Sequence, residues 1–222
     1  MSEQKPSLDV KPTYDASVDV DQQAHVPDKK FQQPEVISVR QGSFGVIDDG
    51  DTTGFGGLTQ VFTLPGATPR PYGSWFDEAV DILEEEILKE GLQVNDVIEK
   101  VVVNQHDQLI INVKRDHLRF IAKTLRDDQD LRFEMCLGVS SVNYPGDKGR
   151  ELHALYPFRS FTHNRNIFLE VSVADEDPVI PSIVDIYPGN DWSEREGWDL
   201  MGIIFAGHPG LTRIEMPQDW VG

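Results

Sequence analysis

The side chains with most to offer chemically lie between Trp192 and Trp220. Glu194, Arg195 and Glu196 stand in consecutive positions, and Asp199, His208, Arg213 and Asp219 follow. Carboxylates near an imidazole would suit general acid/base work, because histidine titrates close to neutral pH. His208, set between Gly207 and Pro209, is the best single candidate for that work. The blander reading makes it a histidine whose ring nitrogens are satisfied inside a sharp corner, and it is the one preferred here. Helical geometry also splits the acid/base run, since successive helical residues diverge by about 100°. Glu194, Trp198 and Met201 then share one side, while Arg195 and Asp199, four apart, are placed to pair. No nucleophile joins them. Ser193 is better used as a helix cap, Thr212 has no placed base, and the single cysteine, Cys136, sits in the apolar run Leu131 to Val142 as a buried, inert thiol. His25, His106, His117, His153 and His163 lack ligand spacing, and no Cys-x-x-Cys pair exists for zinc or an iron–sulfur cluster. Trp192, Trp198 and Trp220, with Arg195 and Arg213, suit interface anchors better than catalysts, although a core role for one or two tryptophans is equally ordinary. On residue types alone the chain reads as a protein without its own active site. A stand-alone acid/base enzyme using His208 with Glu194 or Glu196 is the alternative.

A helix must carry the first part of this stretch. Ser193 with Glu196 fits a capping box, and Asp191 with Glu194 offers a second phase. Gly197 and Gly202 would weaken an isolated helix, so they imply close approach of neighbouring backbone. Just upstream, Pro181 to Tyr187 reads as a short helix closed by Pro188-Gly189. Earlier still, Phe76, Val80, Leu83 and Ile87 recur at helical spacing in a helix from Tyr72 to Glu90, stopped by Gly91. The acids Asp77, Glu78, Asp81, Glu84, Glu85 and Glu86 form its solvated face. Val97–Val103 and Leu109–Val113 flank a turn-like Asn-Gln-His-Asp-Gln and predict a hairpin. A second helix opens near Asp116 with Leu118, Ile121, Ala122 and Leu125 inward. Leu131–Asn143 predicts a long strand, and Glu151–Phe161 and Asn166–Val173 two more. Helices segregate from adjacent hairpin strands, so the class is α+β, with a mostly antiparallel or mixed sheet packed on helices.

The remainder sets bounds. A chain of 222 residues with 39% hydrophobic content can bury a sizeable core, and a net charge of −18 makes nucleic acid and an anionic membrane surface poor partners. No apolar run approaches the ~18 residues of a membrane span, and the N-terminus lacks a signal-peptide pattern, so the expected compartment is the cytosol. Residues 1–35 read as a disordered or extended tail. Residues 36–71 read as a Gly/Pro-rich loop segment, in which Gly54-Phe55-Gly56-Gly57 fails as a nucleotide fingerprint for want of a preceding strand and a following helix. An α+β domain over 72–180 and a C-terminal docking segment over 181–222 complete the division.

One family shares the closing stretch. The string Trp192-Ser193-Glu194-Arg195-Glu196, then Asp199-Leu200-Met201-Gly202-Ile203, Phe205, Gly207-His208-Pro209, Leu211, Arg213 and Pro217-x-Asp219-Trp220, resembles the signature of the thirty-kilodalton subunit of proton-pumping NADH:quinone oxidoreductase, respiratory complex I. The resemblance extends over about 72–222. It implies a member of the hydrophilic arm that binds no cofactor itself, with FMN, iron–sulfur clusters, NADH and quinone held by other subunits. It implies docking against the quinone-site subunit and cluster-bearing neighbours, and a peripheral place on the cytoplasmic face of the cell membrane, reached only through the complex. No catalytic, cofactor-binding or metal residue carries over. Trp192, Glu194, Arg195, Glu196, Asp199, Gly202, Gly207, His208, Pro209, Arg213, Asp219 and Trp220 carry over as signature or interface residues. Equivalent subunits of related membrane hydrogenases or F420-type dehydrogenases are the near variant. The family usually continues with Pro-Leu-Arg-Lys-Asp-Tyr-Pro where this sequence stops at Gly222; either the sequence is short-ended or that contact with the quinone-site subunit is missing.

Overall fold

The computed structural model describes residues 34–42, 54 and 56–220; the expected tail over 1–35 falls almost wholly outside them. The segment expected to be loop instead holds an antiparallel ribbon of β1 (Glu35–Gln41) and β2 (Thr59–Leu64). Its glycines and prolines punctuate the strands and do not interrupt them, with Pro34 before β1, Gly42 after it and Pro65 after β2.

Helix α1 (Phe76–Lys89) buries Phe76, Ala79, Val80, Leu83 and Ile87, as the periodicity predicts, and Gly91 leaves it at φ +77°. It starts later than expected because Gly73 and Ser74 take φ +87° and +56°, outside the helical region. The Asp77 carboxylate instead accepts the Tyr72 and Gly73 N–H groups at 3.1 and 2.8 Å. The acidic face is not wholly solvated either, because Arg70 donates to Asp81 and Glu84 at 2.5 and 2.9 Å. A single turn, α2 (Val94–Val97), leads into the hairpin β3 (Ile98–Val103) and β4 (Leu109–Val113), followed by a 3-10 turn over Arg115–His117 and helix α3 (Leu118–Asp127).

The expected strand Leu131–Asn143 is two strands, β5 (Met135–Cys136) and β6 (Ser140–Asn143). Both pair with β7 (Leu152–Ser160), but the four steps from Cys136 to Ser140 face three from Phe158 to Leu155, so one residue bulges out. Gly138 permits this at φ +132°, and a Cβ there would stand 3.1 Å from Ser193 Oγ. β8 (Arg165–Val173) completes a sheet of order β3-β4-β8-β7-β5, with β6 beside β7; only β4–β8 runs parallel. This is the mixed sheet on helices that the sequence predicts. Phe133, Tyr156, Phe158 and Leu169 lie in its core, and Tyr187 donates its hydroxyl to the Phe133 carbonyl at 2.8 Å.

The chain then forms β9 (Val179–Pro181), a 3-10 turn over Pro188–Asn190, helix α4 (Asp191–Met201) and β10 (Ile204–Ala206), which pairs parallel to β9. No helix spans Pro181–Tyr187; one turn survives, with the Ile186 and Tyr187 N–H groups both bonding to the Ile183 carbonyl. Ser182 and Ile183 donate their N–H groups to the Ala206 carbonyl and to Glu194, and Tyr187, ahead of Pro188, lies outside the helical region at φ −129°, ψ 88°.

Candidate functional site

Neither expected capping box forms, since α4 starts at Asp191 and Asn190 before it makes no side-chain cap bond. Glu194 is fully buried, and its carboxylate accepts the Ser182 hydroxyl at 2.5 Å and the Ile183 N–H at 2.9 Å. Burial pushes this carboxyl above its ordinary value, and the two donors partly offset that rise. Glu194 therefore ties α4 to the segment after β9. Ser182 is a functional partner that sequence reasoning misses; its position just before a turn, twelve residues from a helical glutamate, gives no local signal.

The expected Arg195–Asp199 pair does not form, because both side chains turn to the segment that follows β10. Arg195 donates to the Thr212 carbonyl at 3.0 Å and lies 4.6 Å over the Trp192 ring. Asp199 accepts the N–H groups of Ile214, Glu215 and Met216 at 3.0, 2.7 and 2.9 Å, and Arg213 at 2.7 Å. Desolvation acts to raise the Asp199 carboxyl, but the three N–H donors and Arg213 outweigh it and hold the group well below the carboxylate range. Arg213 also donates to the Trp220 carbonyl at 3.1 Å and sits 5.4 Å over Trp198. An irregular segment thus gains the donors and acceptors that a loop needs.

His208 takes the blander of its two readings. Its Nδ1 accepts the Gly210 N–H at 3.1 Å, which places the ring proton on Nε2, and Nε2 faces Asp191 Oδ1 at 3.1 Å. The side chain has no exposed surface, so neither nitrogen is available to a substrate. Gly207 makes the corner at φ +85° before Pro209. Gly202 ends α4 in the left-handed conformation, φ +74°, with open space where a Cβ would be, so it is a helix terminator and not a site of close approach. Gly197 does fulfil that expectation: a Cβ there would stand 2.6 Å from Ser141 Oγ and 3.2 Å from the Phe205 ring.

What remains faces outward. Trp192 and Trp220 are 65% and 50% exposed, whereas Trp198 packs against the core. Glu196 and Asp219 are exposed and, among the described residues, make no hydrogen bond or ion pair. Glu196 borders a groove of about 200 Å³ between α4 and β6, lined by Ser140, Ser141, Gly197, Leu200 and Met201. Away from this face, His153 is buried between Glu170 and Asp147, 2.6 and 3.2 Å from its ring nitrogens, an arrangement its sequence position does not disclose. Cys136 is buried as expected, and burial pushes its thiol up to about 11. Among the described residues no three His, Cys, Asp or Glu side chains are placed to hold a metal ion.

Residues 111–222 match the family described as respiratory-chain NADH dehydrogenase, 30 Kd subunit. An NADH-quinone oxidoreductase subunit of Mycolicibacterium paratuberculosis is 58% identical over 188 residues, covering 85% of this chain and 80% of that protein. The protein of the same name from Mycobacterium tuberculosis is 57% identical, covering 85% of this chain and 79% of its own length. Among solved structures, one titled "Nqo5 of the trypsin-resistant fragment (1-134) in P63 form" aligns over 60% of this chain and 98% of its own with TM-score 0.49 and 23% identity.

Proposed function

The chain belongs to the respiratory-chain NADH dehydrogenase 30 kDa subunit family, and from that membership we propose that it is a structural subunit of NADH-quinone oxidoreductase that docks through the face built by residues 192–220. In this reading it binds no FMN, iron–sulfur cluster, NADH or quinone itself. It sits beside the quinone-site subunit and cluster-bearing neighbours and helps hold the electron path between NADH and quinone in register. No helix among the described residues is long and apolar enough to cross a membrane, so the chain would reach the cytoplasmic face of the membrane through its partners.

The observation that carries the proposal is the division of labour within the signature. Glu194, Arg195, Asp199, His208 and Arg213 spend their polar atoms on the chain itself, fixing the shape of α4 and the segment after β10. Trp192 and Trp220 of the same stretch are left exposed. Rigid internal bonding around outward aromatic anchors suits an interface, where a few large aromatic residues carry most of the binding energy. It suits catalysis less well, because His208, the best acid/base candidate, has no exposed surface to offer beside the exposed carboxylates Glu196 and Asp219.

The test is purification of the membrane enzyme after mild detergent extraction, with the metal and flavin content of this chain measured separately. The chain should co-purify stoichiometrically with the other arm subunits and carry neither flavin nor iron when alone. Replacing Trp192 and Trp220 together by alanine should deplete it from the complex without unfolding it. A chain that migrates alone, or that binds flavin or metal stoichiometrically, overturns the proposal.

A further inference from the structure

Glu196 is the exception inside the α4 signature. Its neighbours in the motif, Glu194, Arg195 and Asp199, all have partners within the chain, whereas Glu196 has none among the described residues. Its surroundings make that notable. Trp192 and Leu200, four residues to either side, share its stripe on the helix. Both are exposed, and so is Met201 beside the groove. A lone carboxylate therefore stands within an apolar patch, at the rim of a groove about 200 Å³ in volume.

That juxtaposition limits what can cover the patch. Any apolar surface laid over Trp192 and Leu200 also strips water from Glu196, and an unpaired carboxylate out of water opposes the association. A partner that brings a cation to the same point converts the penalty into a charge-assisted hydrogen bond. The net charge of −18 favours the same sign of partner at longer range and speeds the encounter. We propose that the groove between α4 and β6 receives an apolar segment of an adjoining subunit that carries one lysine or arginine side chain to Glu196. This rests on the reading of the chain as an assembled subunit, and it adds the contact point and the chemistry of the occupant.

The test uses the whole enzyme in mild detergent and measures how much of this chain stays with the other arm subunits as NaCl is raised. Variants are Glu196→Gln, Glu196→Lys and Leu200→Ser, with Leu88→Ser on α1 as a control for loss of an exposed leucine. Glu196→Lys should reduce retention by about tenfold or more, because like charges then meet across the contact. Glu196→Gln should weaken retention less and flatten its salt dependence. Leu200→Ser should weaken it at every salt concentration, and Leu88→Ser should match the unaltered chain. A photo-reactive residue at Met201 should capture a peptide in which a lysine or arginine stands among apolar residues. Wild-type retention by Glu196→Lys, or a captured peptide without a cation, overturns the proposal while leaving the subunit reading intact. Failure of the unaltered chain to join the complex overturns both. Thermal unfolding of the isolated variants, expected to match the unaltered chain because position 196 is exposed, separates docking from folding.

Discussion

Gly197→Ala is a sharp probe of how α4 is seated. A mid-helix glycine costs about 0.5–1 kcal/mol relative to alanine, so with room for a methyl group the substitution would stabilise the chain. There is no room, since the new Cβ would lie 2.6 Å from Ser141 Oγ and 3.2 and 3.3 Å from two carbons of the Phe205 ring. Overpacking of that kind costs about 1–3 kcal/mol, which leaves a net loss of about 0–2.5 kcal/mol. Ser141→Ala removes the offending oxygen, and that buried hydroxyl has no hydrogen-bond partner, so this change alone should stabilise by about 1 kcal/mol. In the double variant the helix gains its alanine and only the Phe205 contact stays tight, so the two substitutions should couple favourably by about 1–2 kcal/mol. Equilibrium urea unfolding of the four chains measures this as shifts in midpoint at constant slope, and each kcal/mol should move Tm by about 2–4 °C. Strict additivity, or Gly197→Ala more stable than the unaltered chain, would refute the reasoning.

Two other outcomes follow from groups the fold perturbs. The Asp199 carboxyl is held below its unfolded value of about 3.9, so its stabilisation is complete above that pH and is lost as pH falls through the lower folded value. Asp199→Asn should therefore be less stable at neutral pH, with a deficit that shrinks below about pH 4, and its chain should be cut by protease near Ile214–Met216. A deficit independent of pH would contradict this. Cys136, its thiol raised to about 11 by burial, should resist a thiol reagent at pH 8 in the native chain and react fully once unfolded; rapid native labelling would show that the β5 packing is wrong.

The periodic elements are legible in the sequence because their apolar spacing is a local property that tertiary contacts reinforce. Helices α1 and α3 and the hairpins β3–β4 and β7–β8 are of this kind. Distant competitors spoil the other expectations. The break at Gly138 is tied to Ser193 on α4, far along the chain. The segment expected as a helix over Pro181–Tyr187 is instead tied to Ala206 and Glu194, which accept its Ser182 and Ile183 N–H groups. Arg195 and Asp199 satisfy the four-residue rule, yet three N–H donors and a second arginine outbid a surface ion pair worth a few tenths of a kcal/mol. His208 is legible as a corner residue from its Gly-His-Pro-Gly setting. Its acceptor, Asp191, reads in sequence only as a cap, because spacing does not reveal which element folds back onto which.

The single parallel joint of the main sheet also dictates an order of events as the chain folds. β3 with β4, and β7 with β8, are hairpins whose strands meet across short turns and close on a timescale of about 1–10 μs. Ile111 on β4 must wait for Leu169 on β8, 58 positions later, before the two hairpins become one sheet. Kinetically, that docking is the natural rate-limiting event, because the entropy of closing the long loop is spent before its contacts form. During synthesis, the β4 edge stands unpaired on the ribosome until β8 has emerged, and so it is the edge at which premature chains would associate.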